Sequence, residues 1–262
     1  MLIDFHIHAF PDNLAERAVG SLAEKSGFHP VTDGKISDTK EKMKKWGVDY
    51  GIVLNIATNP KQQPKVNLFA EDSNKDNIIS FGSVNPFSPD ALYELDRIKE
   101  YGLKGIKLHP EYQEYDIDDE IAYPIYQKAS DLGLIMVFHG GKDVAYPNSL
   151  RAHPKAIRKF ADDFKSAKIV IAHYGGYRLY DEVLEYLAGS HVYIDTSCDI
   201  GTITPEKAKE IIKAHGADKV LFGSDCPWQD PCKTIEFLNS LGLGDEEKDA
   251  IFYKNAVNLL KL

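Results

Sequence analysis

The chain has 262 residues, of which 43% are hydrophobic and 27% charged, and this fits one large soluble domain with a sizeable core. Its 31 Lys and Arg against 40 Asp and Glu leave a net charge of −9, which argues against nucleic acid and anionic membranes as partners. No apolar run approaches the roughly 18 residues of a membrane span. Three cysteines without a paired framework, and no signal-peptide pattern, lead us to expect a cytoplasmic protein with reduced thiols.

In chain order, short apolar runs alternate with longer amphipathic stretches. Runs of this kind are typical of parallel strands that are covered on both faces. We predict strands at Leu2–His6, Tyr50–Asn55, Ile78–Val84, Leu103–His109, Leu134–His139, Ile169–His173, Val192–Asp195 and Val220–Asp225. Capping residues and glycines mark the predicted helices, at Leu14–Lys25, Thr39–Trp46, Pro89–Tyr101, Ile121–Asp131, Pro154–Phe164, Tyr180–Leu187, Pro205–Ala214 and Glu246–Leu260.

Eight strands in alternation with helices predict an α/β fold, a (β/α)8 TIM barrel that forms a single domain over residues 1–262. A doubly wound open sheet is the alternative, but no Gly-x-Gly-x-x-Gly motif follows an early strand. A long connection separates the first strand from the helix at Thr39. Since insertions at this point of a barrel lie over its C-terminal mouth, we interpret residues 27–36 as part of a lid.

Ionisable side chains stand at the ends of several predicted strands. His6 and His8 share one face of the first strand, so both imidazoles can reach one ion. The His-x-His pattern alone is common and also fits two structural histidines. Four later strands, however, end in Lys107 with His109, in His139, in His173 and in Asp225. Because strand ends of a barrel converge at one mouth, and buried His and Asp need partners, the combination indicates a metal site.

The segments that carry these residues resemble the amidohydrolase superfamily, in particular the branch that includes aminocarboxymuconate-semialdehyde decarboxylase and related aromatic-acid decarboxylases. The resemblance covers essentially the whole chain. It is carried by Ile-Asp-Phe-His-Ile-His at 3–8, Ile-Ala-His-Tyr-Gly-Gly at 171–176, Val-Tyr-Ile-Asp-Thr-Ser at 192–197, Val-Leu-Phe-Gly-Ser-Asp-Cys-Pro-Trp at 220–228 and Asn-Ala-Val-Asn-Leu-Leu at 255–260.

The resemblance implies a role for each of these residues. His6, His8 and His139 ligate one divalent metal, and Asp225 is a further ligand that takes a proton from bound water. His173 acts beside the metal as an acid/base or as a polariser of the substrate. This donor set suits Zn²⁺ and is compatible with Mn²⁺.

The fourth strand leaves the number of metal ions open. Lys107 and His109 share a face, and their Lys-Leu-His-Pro segment resembles the Lys-Leu-Tyr-Pro context of dihydroorotase-like members, in which the lysine is carboxylated and bridges two metals. His173 then serves the second ion. Otherwise Lys107 stays an ammonium that binds a substrate carboxylate, or packs its stem. We favour one metal, because the rest of the chain resembles the mononuclear branch.

Three classes of function fit this reading, each with a small molecule as partner. We favour a hydrolase that cleaves a cyclic amide, lactone or ester through a metal-activated water, because characterised decarboxylases of this branch tend to be longer. The alternatives are a decarboxylase of an aromatic or unsaturated carboxylic acid and a non-catalytic binding barrel. TatD-like nucleases are disfavoured, because Lys107 stands where they carry a glutamate. A homo-oligomer is compatible with the sequence, which leaves the oligomeric state open.

Other residues carry weaker signals. Asp4 is interpreted equally as support for a metal ligand or as a polar core group, and Cys226 is not counted as a ligand because it faces away from Asp225. Aromatic residues that either line the site or pack elsewhere are Tyr112, Tyr115 and Trp228. Histidines outside the strand ends are assigned to the surface: His29, His153, His191 and His215.

Overall fold

A computed structural model describes residues 1–198 and 201–262. The strands are β1 (Ile3–Ile7), β2 (Tyr50–Leu54), β3 (Ile78–Phe81), β4 (Gly105–Leu108), β5 (Ile135–Phe138), β6 (Lys168–Ile171), β7 (Tyr193–Asp195) and β8 (Val220–Leu221). The helices are α1 (Asp12–Ser26), α2 (Ile36–Trp46), α3 (Gln63–Ser73), α4 (Ala91–Glu100), α5 (Pro110–Gln113), α6 (Tyr123–Asp131), α7 (Pro154–Asp163), α8 (Tyr180–Tyr186), α9 (Pro205–His215), α10 (Pro231–Ser240), α11 (Asp245–Asp249) and α12 (Asn255–Leu260).

The strands are all parallel and follow one another in sequence order, as β1-β2-β3 and β4-β5-β6-β7-β8. Backbone bridges at Gly82–Ile106 and Ile7–Cys226 connect the two sets. At the first seam the Lys107 amide donates to the Gly82 carbonyl at 2.8 Å. At the second seam the Asp225 amide donates to the His6 carbonyl at 2.9 Å. The strand order therefore runs around and returns to β1, as a (β/α)8 barrel requires.

One cluster of buried side chains fills the interior of the barrel. It joins residues from six strands, among them Ile3, Phe5, Ile52, Phe81, Val137, Val170 and Leu221. Helix α12 adds Ala256, Leu259 and Leu260 to this cluster, which places apolar packing below the strand ends that carry the ionisable residues. A second and larger cluster lies between the strands and the surrounding helices, with Leu95, Tyr126 and Phe160 packed against outward residues such as Phe138.

Strand β1 departs from simple alternation. Phe5 packs in the interior cluster. His6 and His8, which follow it on the same strand, both line the cavity above that cluster. The register with β2 shifts between Asp4 and Ile7, and an irregularity of this kind re-aims side chains along a strand. Asp4 is hydrogen-bonded to Ser224 and to the His6 amide, so it joins β1 to the segment after β8 as a polar core group.

Helices α3 and α10 were not predicted from the sequence. The segment of α3 carries Pro60 and Pro64, and prolines at this spacing obscure a helical pattern although each is accepted in a first turn. Helix α10 also has a proline at its start, Pro231. The predicted helix at Glu246–Leu260 is instead α11, a π-helical turn at Ala250–Lys254 and α12. Among the described helices, none is both long and apolar enough to cross a bilayer.

Candidate active site

A cavity of about 430 Å³ opens where the strands end. It is lined by every residue that the sequence singled out for the metal, for catalysis and for substrate: His6, His8, Lys107, His109, His139, His173 and Asp225. They come from β1 and from the segments at the ends of β4, β5, β6 and β8. The prediction that these strand ends share one mouth is thus met by the position of the side chains.

Three donor atoms form a tight triangle at the base of this cavity. His6 Nε2 lies 3.2 Å from His8 Nε2 and 3.4 Å from Asp225 Oδ1, and His8 Nε2 lies 3.2 Å from the same carboxylate oxygen. Two nitrogens bound tetrahedrally to zinc at their usual distance stand about 3.3 Å apart. The spacing therefore suits a single ion of that size.

The partners of the two rings determine which nitrogens face the triangle. His6 Nδ1 lies 2.8 Å from Asp195 Oδ2, and His8 Nδ1 lies 3.1 Å from the Leu54 carbonyl oxygen. Carboxylate and carbonyl oxygens only accept, so each Nδ1 of a neutral ring carries the proton and each Nε2 presents a lone pair. This is the arrangement by which outer partners orient histidine ligands in metal sites.

The carboxylate of Asp225 stays ionised at the centre of this group. Burial raises its pKa, but the interactions with His6, with His8 and with the Lys107 ammonium outweigh burial, and the net pKa lies below the ordinary value. Its backbone has φ of 67°, a conformation that costs a non-glycine residue energy and clusters at functional sites. The local backbone thus holds an acceptor-only carboxylate against the two lone pairs.

A chain of hydrogen bonds leads from the triangle to His173 and His139. Ser197 Oγ lies 3.1 Å from His6 Nδ1 and 2.8 Å from His173 Nδ1, and it also donates to Asp195. His173 Nε2 lies 3.0 Å from His139 Nδ1. Burial holds the pKa of His173 well below its ordinary value, so the ring is neutral at pH 7.

His139 lies outside the triangle in this structure. Its Nε2 is 2.9 Å from the Lys142 carbonyl oxygen, and its ring stacks on His109 with centroids 4.3 Å apart and planes at 13°. His109 Nε2 in turn lies 3.4 Å from Asp143 Oδ2. Because the Lys142 carbonyl only accepts, Nε2 of the neutral His139 ring carries the proton, and Nδ1 presents its lone pair to His173 Nε2. The role of His139 as a ligand stays a prediction, and it requires Nδ1 to leave His173.

Lys107 is buried, with 1% of its surface exposed, and its Nζ has no hydrogen-bond partner among the described residues. Burial lowers the pKa of Lys107 to about 8, while the carboxylates of Asp195 and Asp225 act in the opposite direction. A buried ammonium without a hydrogen-bonded partner is costly. Its position in the cavity lining therefore suggests that a ligand oxygen completes its environment.

Asp195 and Asp143 were missed in the sequence. Asp195 is fully buried and accepts from the amides of His173 and Ser197, both at 3.0 Å. Asp195 ends a predicted strand, as Asp225 does, so the same positional rule could have predicted it as a site residue. Asp143 lies in the loop after β5, where the sequence offers no pattern that brings it to His109.

The weaker candidates divide between cavity and core. Tyr112 and Trp228 line the cavity, whereas Tyr115 is buried and its hydroxyl lies 3.4 Å from that of Tyr126. Cys226 packs in the apolar cluster around Ile7 rather than in the donor triangle. The surface assignment of His215 was wrong: it is 2% exposed and bonds the carbonyls of Leu187 and Val192, joining α9 to the turn before β7.

Glycine is required where the loops after β5 and β6 meet. Gly141 has φ of 81°, and a Cβ there would lie 2.3 Å from the Tyr177 amide nitrogen. The Gly141 amide donates to the Ala152 carbonyl, and the Tyr177 amide to the Gly140 carbonyl, both at 2.8 Å. This close backbone approach holds the segments of His139 and His173 against each other.

Comparisons with known proteins agree with this geometry. A family model described as amidohydrolase matches residues 3–262, whereas no curated protein matches the sequence. An uncharacterised TIM-barrel protein from Bordetella bronchiseptica aligns with a TM-score of 0.76 and 19% identity, over 99% of this chain and 98% of that chain. The predicted barrel fold is thereby confirmed.

Two further solved structures carry printed activities. A dihydroxybenzoic acid decarboxylase from Polaromonas, with bound manganese and the inhibitor 2-nitroresorcinol, aligns with a TM-score of 0.72 and 15% identity over 100% of this chain and 97% of that chain. A probable 2-pyrone-4,6-dicarboxylic acid hydrolase from Acinetobacter baumannii, with citric acid bound, aligns with a TM-score of 0.68 and 16% identity over 100% and 99%. Since the family model spans nearly the whole chain, this protein belongs to the amidohydrolase family and is an enzyme of that superfamily.

Proposed function

We propose that this enzyme is a metal-dependent hydrolase that cleaves a small cyclic amide, lactone or ester. The observation that carries the proposal is the triangle of His6 Nε2, His8 Nε2 and Asp225 Oδ1, with separations of 3.2–3.4 Å. All three atoms are acceptors in the protonation states that their partners impose. Three acceptors at this spacing repel one another unless a cation lies between them.

A metal ion fits this requirement better than a proton. Burial and the neighbouring Lys107 hold the pKa of His6 well below its ordinary value, so this ring does not readily take up a proton at neutral pH. We therefore assign His6, His8 and Asp225 as ligands of one divalent ion, zinc or manganese, with His139 as the further ligand proposed from the sequence. When bound, such an ion acts as a Lewis acid and makes water more acidic.

The surrounding side chains suit acyl-group hydrolysis. Asp225 is ionised and can accept a proton from water at the ligand cluster. Lys107 Nζ can donate to the oxygen that gains negative charge, because it is buried and has no other hydrogen-bonded partner among the described residues. His173, neutral and linked to Ser197, is positioned to exchange a proton with the substrate.

The geometry supports one ion rather than two. Three further groups of candidate donors occur among the described residues, and the one that shares no residue with the triangle is His109, His139 and Asp143. The His109 and His139 rings are stacked and nearly parallel, so their in-plane lone pairs lie in two separate, nearly parallel planes and do not converge on one ion. In addition, the Tyr112 amide donates to His109 Nδ1, which leaves Nε2 of the neutral ring protonated toward Asp143. Without a second ion there is no pair of metals for a carboxylated Lys107 to bridge. We therefore assign the Lys107 ammonium to substrate binding.

Decarboxylation is the second candidate, and the Lys107 ammonium, which has no hydrogen-bonded partner among the described residues, also favours it. A carboxylate is the natural partner of a buried ammonium, and a substrate held there by its carboxylate can lose CO₂ if the C–C bond breaks and a proton that Asp225 has first accepted from water is delivered to the carbon. Chain length does not separate the two reactions, since the alignment with the Polaromonas decarboxylase covers 100% of this chain and 97% of that chain.

The test begins with metal analysis of the purified chain, for which we expect one equivalent of a divalent ion. The loaded enzyme is then assayed on a panel of lactones, cyclic amides, esters and aromatic carboxylic acids, with hydrolysis and CO₂ release scored separately. Hydrolysis without CO₂ release supports the first candidate, and CO₂ release from an acid supports the second. Two equivalents of metal would contradict the one-ion assignment.

Paired variants link the activity to the proposed site. Asp225→Asn should lower kcat at least a hundredfold while the protein remains folded, because the amide cannot accept the proton and is a poorer ligand. Asp230→Asn is the matched control: it lies in the same loop and caps α10 by accepting from the Cys232 amide, a role that asparagine fills equally well. Equal activity in both variants would remove the proposed role of Asp225.

A further inference from the structure

The outer part of the cavity is apolar, in contrast to its base. Beyond the imidazoles and Lys107, the lining passes to Phe10 and Pro11 after β1, Leu14 and Leu22 of α1, Phe28, and Val66 and Phe69 of α3. These residues belong to the connection after β1 and to the helix after β2. The same cavity thus joins the ligand cluster to an apolar passage between α1 and α3.

The passage extends along helix α1. Leu14 and Leu22 are two helical turns apart, which corresponds to about 12 Å along the helix axis. Val66 and Phe69 are three positions apart on α3 and therefore lie on one face of that helix. All of them are half-buried or exposed rather than packed away in the core, so their apolar surface stays open to a ligand.

We infer that the substrate carries an extended apolar chain, such as an acyl or alkyl chain, that lies along this passage while its reacting carbonyl meets the ligand cluster. The inference rests on the proposed function and adds the substrate class. Apolar surface gains stability when it leaves water, and a passage that begins at the reacting centre can be covered by the substrate itself. Polar residues also line the cavity, among them Ser26, Thr58, Gln62, Lys65 and Lys142. Lys65 and Lys142 are exposed, so their ammonium groups can stay in water.

The experiment measures binding of two metal-chelating probes to the zinc-loaded enzyme by titration calorimetry. Acetohydroxamate tests the ligand cluster alone, and octanohydroxamate adds six methylenes. If only half of these enter the passage, octanohydroxamate should bind about 60-fold more tightly, since each buried methylene contributes roughly fourfold.

Two neighbouring residues of α3 provide a matched pair of variants. Phe69→Gln places an amide in the passage and should reduce the preference for the longer probe about tenfold, without changing acetohydroxamate affinity. Leu68→Gln alters a side chain that is 44% exposed and is not part of the cavity lining, so the preference should remain. Leu22→Gln tests the opposite wall and should act as Phe69→Gln does.

The outcomes separate the two proposals. Equal affinity for both probes would overturn the apolar-chain inference while leaving the metal site intact, as would equal loss of preference in Leu68→Gln and Phe69→Gln. If neither probe binds the loaded enzyme, the proposed function fails, and the inference that rests on it falls as well.

Discussion

Replacing Asp195 by asparagine should weaken metal binding without a direct change to any proposed ligand. Asp195 Oδ2 receives the Nδ1 proton of His6 at 2.8 Å, and Oδ1 accepts from the amides of His173 and Ser197 at 3.0 Å. An asparagine that keeps the two amide bonds turns its own NH₂ toward His6 Nδ1. That nitrogen must then become the acceptor, so Nε2 takes the proton and loses the lone pair that faces the triangle.

The expected loss of metal affinity depends on which of two orientations the asparagine amide adopts. Turning the amide around would restore the bond to His6 but leave two buried backbone amides facing an NH₂ group, at a cost of about 1–3 kcal/mol each. The first orientation is therefore preferred. Loss of an outer partner of a histidine ligand typically lowers metal affinity about 10–100-fold, which corresponds to about 1.4–2.7 kcal/mol.

The assay is competition for zinc against a chromogenic chelator at pH 7, with circular dichroism as the check of folding. Asp4→Asn is the control, because Asp4 is equally buried and bonds Ser224 without contacting an imidazole of the site. We expect weaker binding in Asp195→Asn alone. Wild-type affinity in a folded Asp195→Asn protein would refute the tautomer argument, and with it the reason for assigning Nε2 of His6 as a ligand.

Three further results are expected. Burial lowers the pKa of Lys107 to about 8, whereas a lysine in the unfolded chain has a pKa of about 10.4. Between these two pH values the unfolded state binds more protons than the folded state, so the free energy of unfolding rises with pH. Urea denaturation of the metal-free protein should show this rise in the wild type and a smaller one in Lys107→Met. Because the pKa of His6 is well below its ordinary value, zinc affinity measured by chelator competition should fall less than the roughly 30-fold that two ordinary imidazoles impose between pH 6.5 and 5.5, and a larger loss would contradict the depressed pKa. Phe160 is fully buried, with the Tyr126 and Phe138 rings at centroid distances of 4.6 and 5.0 Å, so Phe160→Ala should cost about 3–5 kcal/mol in urea unfolding, whereas the half-exposed Phe87→Ala should cost little.

The repetition of apolar runs made the barrel predictable, because each strand is buried on both faces and stands out from the amphipathic helices. Strand ends were less predictable. The β8 ladder covers only Val220–Leu221, since the chain then leaves regular pairing to carry Asp225 at positive φ. No local pattern distinguishes that departure from a continuing strand.

Position at the strand ends predicted a metal site, and the family resemblance implied His6, His8, His139 and Asp225 as its ligands. The structure brings three of these into the triangle and leaves His139 outside it. The outer partners divide into two kinds. Asp195 was predictable by the same rule, although it orients a ligand instead of serving as one. The contact between His109 and Asp143 depends on how the loop after β5 folds back, and that path is determined by long-range packing such as the Gly141 approach to Tyr177, which the local sequence does not encode.

The seam between β1 and β8 brings together two parts of the donor triangle that are far apart in the sequence. Asp4 and Ser224, which are hydrogen-bonded across this seam, are 220 positions apart, and His6, His8 and Asp225 lie beside them. Closing so long a loop is entropically among the most demanding steps of folding. During synthesis, the imidazoles of the first strand therefore cannot meet Asp225 until β8 and the segment after it have been made, so the donor triangle can assemble only after the other seven strands have been synthesised.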